Sequence, residues 1–130
     1  MKIKSITIFI ALTFSVMFSS SSYAGWTEVS ENVRGTVYVD FERIRKHDGY
    51  VYFWELGDYL KPDKFGDLSS KGYHQGDCKL FRYKTLSYSF HKEPMGGGTD
   101  VVEYPDEEWT YSPPNSSFET VLKKVCANTR

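Results

Sequence analysis

Near its C-terminus the chain changes hydrophobic period, and that change constrains the fold more than anything else in the sequence. In SSFETVLKKVCA, residues 116–127, the apolar side chains are Phe118, Val121, Leu122, Val125 and Cys126. Their i, i+3, i+4, i+7, i+8 spacing lines one face of an α-helix. Ser116 with Glu119 three residues on forms a capping box, and Pro113-Pro114 block helical extension backwards. Asn115-Ser116-Ser117 also matches an Asn-x-Ser glycosylation pattern, although the cap explains the same residues without sugar. Upstream, the apolar residues instead recur every second position. One helix against many alternating segments predicts an α+β fold: a single antiparallel sheet of about five to six strands with a C-terminal helix packed on it.

The alternation can be followed along the chain. In GTVYVDF, Val37, Val39 and Phe41 point one way and Tyr38 and Asp40 the other, which predicts a half-buried strand. The charged stretch Glu42 to Gly49 ends in His47-Asp48-Gly49, a turn signal favouring a hairpin into YVYFWELGDYL. There the even positions Tyr50, Tyr52, Trp54 and Leu56 make one broad apolar stripe, while Val51 and Phe53 begin a second on the opposite face, so this strand reads as central in its sheet. Pro62 and Gly66 mark an exposed loop, and strand character returns from about Leu68 to His91. Within KLFRYKTLSYSF the apolar parity switches near Thr85, where a bulge would restore register. Met95 to Gly98 reads as a turn, TDVVEY as a strand, Pro105 to Glu108 as a polar loop and Trp109 to Tyr111 as a short strand.

The first 24 residues are set apart from the fold. Two lysines, an apolar run from Ile6 to Phe18, serines, and then Ser22 and Ala24 have the layout of a secretory signal cleaved before Gly25. An uncleaved membrane anchor is the competing reading, but the run is shorter than the roughly 18 residues a span requires. Residues 25–130 would then form one exported domain of the periplasm, the medium or the cell surface, with no membrane span and no lipid-accepting cysteine at the end of the apolar run. A core of this size is adequate but not generous. Cys78 and Cys126 are the only cysteines, and export places them where disulfides persist. A structural bridge would pin the helix to the sheet; a catalytic thiol is the sharper alternative.

Charge and motifs exclude more than they assign. Sixteen basic against seventeen acidic residues give no support for general nucleic-acid binding. His47, His74 and His91 stand alone in polar or turn-rich contexts and read as surface residues, with no zinc-like spacing, so neither a metal nor a cofactor is expected. Glu107 and Glu108 are loop neighbours that point apart, and no nucleophile and base can be named, which ranks a small secreted hydrolase last. The exception is a run of basic residues, Lys79, Arg82 and Lys84, interleaved with Phe81 and Tyr83. Such residues bind polyanions or acidic protein segments, or they are the solvated face of a strand. As ligand contacts they are the candidates this sequence offers.

Trp26, the YVD of Tyr38 to Asp40, the strand VYFWELGDYL, Gly76-Asp77-Cys78, the Met95 to Gly98 turn, Trp109 and PPNSSFETVLKKVC together resemble the bacterial surface-adhesin protein E family across essentially the whole exported part. The resemblance implies a six-stranded antiparallel sheet with its C-terminal helix tied down by the cysteine bridge. It also implies a non-enzymatic binding protein, because the family's name-giving members are cell-surface adhesins for host extracellular-matrix proteins such as vitronectin and laminin. A periplasmic module that binds another envelope protein or a small ligand is the alternative.

Overall fold

The computed structural model describes residues 25–98 and 100–129; the segment Met1 to Ala24, read above as an export signal, lies outside the described residues. The alternating segments form one antiparallel sheet. Strands β1 (Trp26–Asn32) and β2 (Gly35–Asp40) make a hairpin, a 3₁₀ turn at Phe41–Arg43 leads to the short β3 (Arg45–His47), and β4 (Tyr50–Tyr59), β5 (Ser69–Asp77), β6 (Arg82–His91) and β7 (Val102–Glu103) follow. The spatial order is β1-β2-β4-β5-β6-β7, with β3 paired to β4. β2 pairs with Glu55 to Tyr59 and β3 with Tyr50 to Tyr52, so both occupy one edge of β4. β4 is therefore central, as its two apolar faces require. Among the described residues the sheet has seven strands, more than the five or six expected, because β1 carries little alternation and β3 lies inside a stretch that reads as a charged turn.

Local chemistry accounts for the connections. Asp48 and Gly49 both have positive φ, 50° and 81°, which matches the right-handed twist of the two-residue hairpin between β3 and β4. The expected bulge is present: Tyr73 pairs with Ser87 but His74 with Thr85, leaving Leu86 as the extra residue. The Trp109 to Tyr111 segment contributes only a bridge between Thr110 and Tyr83.

Helix α1 (Ser117–Ala127) starts as its cap predicts. The Ser116 hydroxyl accepts from the Glu119 amide at 3.2 Å, and the Glu119 carboxylate reaches back to the Asn115 amide, one residue beyond the usual partner. Val121, Leu122 and Val125 are completely buried against Val29, Val39, Val51 and Phe53. Cys78, in the turn after β5, is bonded to Cys126 with 5.7 Å between Cα atoms. The helix is therefore locked to the sheet by its apolar face and by a covalent link near its last turn.

Two histidines depart from the sequence reading. His47 is exposed, but His74 and His91 are buried, at 5% and 1% exposure. Gly72 makes the room for His74: a Cβ on it would sit 2.6 Å from the His74 Nε2, and Phe53, Tyr83 and Phe118 close around the ring. Its Nδ1 lies 3.0 Å from the Thr85 hydroxyl and its Nε2 3.6 Å from the Glu55 carboxylate. His91 sits under the Pro94–Gly96 turn with its Nε2 2.8 Å from Ser89 Oγ. Burial, followed by the charge of Lys71, holds its pKa below the ordinary histidine value. A polar sequence context does not reveal side chains that arrive from other strands.

Candidate binding face

Alternation gives the sheet two apolar faces, and α1 covers only the one carrying Val39, Val51 and Phe53. The opposite face is open along much of its length. From β4 it presents Tyr50, Tyr52 and Trp54, and from β5 Tyr73, which pairs directly across from Trp54. Trp109, carried beside β6 by the Thr110 bridge, completes an aromatic row. Tyr50 and Trp109 rings are 5.5 Å apart, Tyr52 and Tyr73 6.2 Å, and Trp54 meets Tyr73 edge-on at 4.8 Å. All five are half-buried rather than enclosed. Tyr50, Tyr52 and Trp54 of the even-numbered stripe thus form the floor of a surface, Leu56 of the same stripe is fully buried, and the smaller stripe forms the core.

Two cations stand on this row. The Arg82 guanidinium lies 4.2 Å from the Trp109 ring centroid and the Lys84 ammonium 4.5 Å from it, a geometry that holds charge over an aromatic face. They reach the same ring because β6 alternates: Arg82 and Lys84 share a face, while Tyr83 between them turns to the helix and stacks on Phe118 at 3.8 Å. Lys79 is placed differently. It is exposed in the β5–β6 turn, where its backbone amide donates to Asp77 at 3.1 Å, and it touches neither the aromatic row nor the other two basic side chains among the contacts of the described residues.

Asp77 is the hub that sets Arg82. Its Oδ1 accepts from the amides of Lys79 and Leu80 and its Oδ2 from the Arg82 Nε at 3.0 Å. Burial alone pushes this carboxyl up, but the Leu80 amide, the Arg82 side chain and the Lys79 amide together draw it below its ordinary value. The sign of the linkage follows: the stabilisation is fully present above the unfolded value near 4 and is lost as pH falls through the lower folded value. Asp77→Asn is expected to cost about 1 to 3 kcal/mol at pH 7, with the difference from wild type closing below about pH 4; urea unfolding at pH 7 and pH 3 measures both.

The open face continues into a groove of about 740 Å³ with Trp54, Tyr73 and Ser87 among its lining residues. Arg43, Ile44 and Arg45 wall one side, and Val102 and Tyr104 the other. Tyr104 is 79% exposed, an unusual position for so large a ring. The sequence singled out Arg82 and Lys84 for this face but not Trp54, Tyr73, Tyr104, Arg43 of the 3₁₀ turn or Arg45 of β3. For Trp54 the signal was present in the paired apolar stripes of β4, which one helix covers on one side alone. Among the described residues no group of three or more His, Cys, Asp or Glu is placed to share a metal ion.

One antiparallel sheet, one disulfide-tethered helix and an open aromatic and cationic face define a class: a small α+β domain built to present a sheet surface. The chain belongs to the surface-adhesin protein E family, whose model matches residues 26–127. Crystal form II of Haemophilus influenzae protein E aligns with a TM-score of 0.60 at 20% identity, covering 81% of this chain and 89% of that one. A further structure of Haemophilus influenzae protein E aligns with a TM-score of 0.59 at 20% identity, covering 81% and 86%. Protein E from non-typeable Haemophilus influenzae gives 0.60 at 18% identity, covering 80% and 76%. At such identities the structures share the fold. No curated protein sequence matches this chain significantly.

Proposed function

We propose that this chain is an exported, non-enzymatic binding protein that holds a protein ligand on the open face of its sheet, the ligand being a host extracellular-matrix protein of the vitronectin or laminin type. Family membership supports a surface adhesin. The observation that carries the reading to particular residues is the pair of cations, Arg82 and Lys84, poised over Trp109 at the edge of an aromatic row. An aromatic floor gives apolar contact area at low entropy cost, and cations beside it select acidic segments of a partner and speed encounter. Interface hot spots are enriched in the same residue types, Trp, Tyr and Arg. Lys79, at the turn that ends β5, extends the basic edge toward solvent.

The test is binding of residues 25–130 to immobilised vitronectin and laminin over a range of salt concentrations. Neutralising Lys79, Arg82 and Lys84 to glutamine is expected to weaken binding about tenfold or more and to flatten its salt dependence. Trp109→Ala is expected to weaken it by a similar factor while leaving more of the salt dependence in place. Unchanged affinity and unchanged salt dependence in both variants would remove the open face from the interaction.

A further inference from the structure

At the end of the sheet remote from Trp109, the β1–β2 turn and the β4–β5 loop meet, joined by a hydrogen bond of 2.8 Å from the Leu60 amide to the Arg34 carbonyl. This tip gathers four of the exposed large apolar side chains: Val33 at 96% exposure, Leu60 at 73%, Phe65 at 69% and Phe90 at 42%. Tyr59 and Pro62 complete the surface around them. Isolated exposed apolar residues are ordinary, but a cluster on two adjacent loops marks an interaction surface.

Basic charge outweighs acidic charge around the cluster. Arg34, Lys61 and Lys64 are exposed and form no ion pair among the described residues, and Lys64 lies 5.1 Å over the Phe65 ring. Of the acidic residues nearby, Glu31 is exposed near the end of β1, while two in the β4–β5 loop are engaged. Asp63 caps the loop by accepting from the amides of Phe65 and Asp67, and Asp67 is buried and paired with Lys92 at 2.9 Å. The loop is thereby held in shape from within while its cations face outward.

We infer that this tip is a docking surface for an anionic lipid bilayer, with Val33, Leu60 and Phe65 entering the headgroup boundary and Arg34, Lys61 and Lys64 meeting lipid phosphates. Two features favour a bilayer over a protein partner. The apolar side chains project from loop ends, Val33 almost wholly in solvent, instead of lining an enclosed slot, and unpaired cations ring them in the arrangement by which peripheral proteins combine apolar insertion with attraction to anionic headgroups. The antiparallel register also places the tip, beside Tyr59, at the far end of β4 from Tyr50 and Trp109. At ten residues β4 is about 30 Å long, so a domain seated on a membrane by its tip would hold its aromatic face well away from the lipid.

Flotation with vesicles of phosphatidylcholine containing phosphatidylglycerol, compared with phosphatidylcholine alone, tests this on residues 25–130. Partitioning is expected to require the anionic lipid, to fall with salt, and to drop about thirtyfold in Lys61→Gln/Lys64→Gln, at the roughly 1 kcal/mol that each cation contributes near such a surface. Leu60→Ser/Phe65→Ser is expected to lower it tenfold or more, while Trp109→Ala leaves it unchanged. A Phe65→Trp variant reads insertion directly through a blue shift and quenching by brominated acyl chains. Because Leu60, Lys61, Lys64 and Phe65 are exposed, the tip variants should keep the far-ultraviolet circular dichroism and thermal midpoint of the wild type. No flotation at low salt, or flotation indifferent to the tip variants, overturns the inference. It is equally overturned if the tip binds an acidic amphipathic peptide and not vesicles, an outcome that would make it a protein dock; loss of matrix binding leaves it standing, since the two surfaces share no residue.

Discussion

Replacing both cysteines, in Cys78→Ser/Cys126→Ser, is expected to remove about 4 kcal/mol of stability, the chain-entropy value for a loop of this length, which the sequence separation of 48 defines. Against a typical total of about 5 to 15 kcal/mol, that is a large fraction, and in a domain of this size it corresponds to a fall in Tm on the order of 15 to 30 °C. The cost falls mainly on the unfolded state, which regains the freedom the link denied it. The native helix keeps Val121, Leu122 and Val125 in the core, the Lys124 ammonium on the Val29 carbonyl at 3.1 Å and the Asn32 amide on Ser117 at 2.8 Å. Thermal unfolding of the double variant measures the loss, and hydrogen exchange at Val121 to Val125 shows whether the helix loosens before the sheet. A Tm within about 5 °C of wild type would mean that the bridge is incidental to the fold.

Gly35→Ala is expected to be the most damaging change of a single small residue. Gly35 opens β2 opposite Tyr59 of β4, and a Cβ there would lie 1.9 Å from the Asp58 carbonyl oxygen and 3.0 Å from the Tyr59 Cα. Both obstacles are backbone, so no rotamer change relieves the clash and the β2–β4 pairing has to separate. Its amide also donates to the Asn32 side chain at 3.2 Å, which closes the β1–β2 turn. A loss of about 3 kcal/mol or more follows from overpacking a site that cannot relax. Gly49→Ala is the comparison: its φ is 81° but nothing lies within 4 Å of the added methyl, so only the left-handed backbone is penalised, at about 1 kcal/mol. Chemical denaturation of both variants separates steric exclusion from conformational preference; equal effects would refute the steric account.

Much of the architecture can be read from local sequence because the forces responsible act over a few residues. The Phe118 to Cys126 periodicity, the Ser116 cap, the Asp48-Gly49 turn and the parity switch beside Thr85 each express a rule of backbone geometry or hydrogen bonding within one or two turns of chain. The two cysteines, with no alternative partner, define their own pairing. Arg82 and Lys84 were legible as a pair because alternation on β6 sends both to one side.

What the tertiary structure decided is which of two apolar faces became the interior. Tyr50, Tyr52 and Trp54 offer large apolar surfaces with polar tips that tolerate water, and Val51 and Phe53 offer purely apolar ones, so β4 alone presents two stripes that could be buried. The choice is made by α1, more than fifty residues downstream, whose Val121, Leu122 and Val125 cover the face of Val39, Val51 and Phe53 and leave Tyr50, Tyr52 and Trp54 on the open one. The same reason explains His74 and His91, buried by groups from other strands, and the apolar tip, where Val33 and Phe65 meet only because Arg34 and Leu60 are joined across two loops. Period and capping are properties of neighbours in the chain; burial and shared surfaces belong to residues brought together from a distance, and only the folded sheet brings them together.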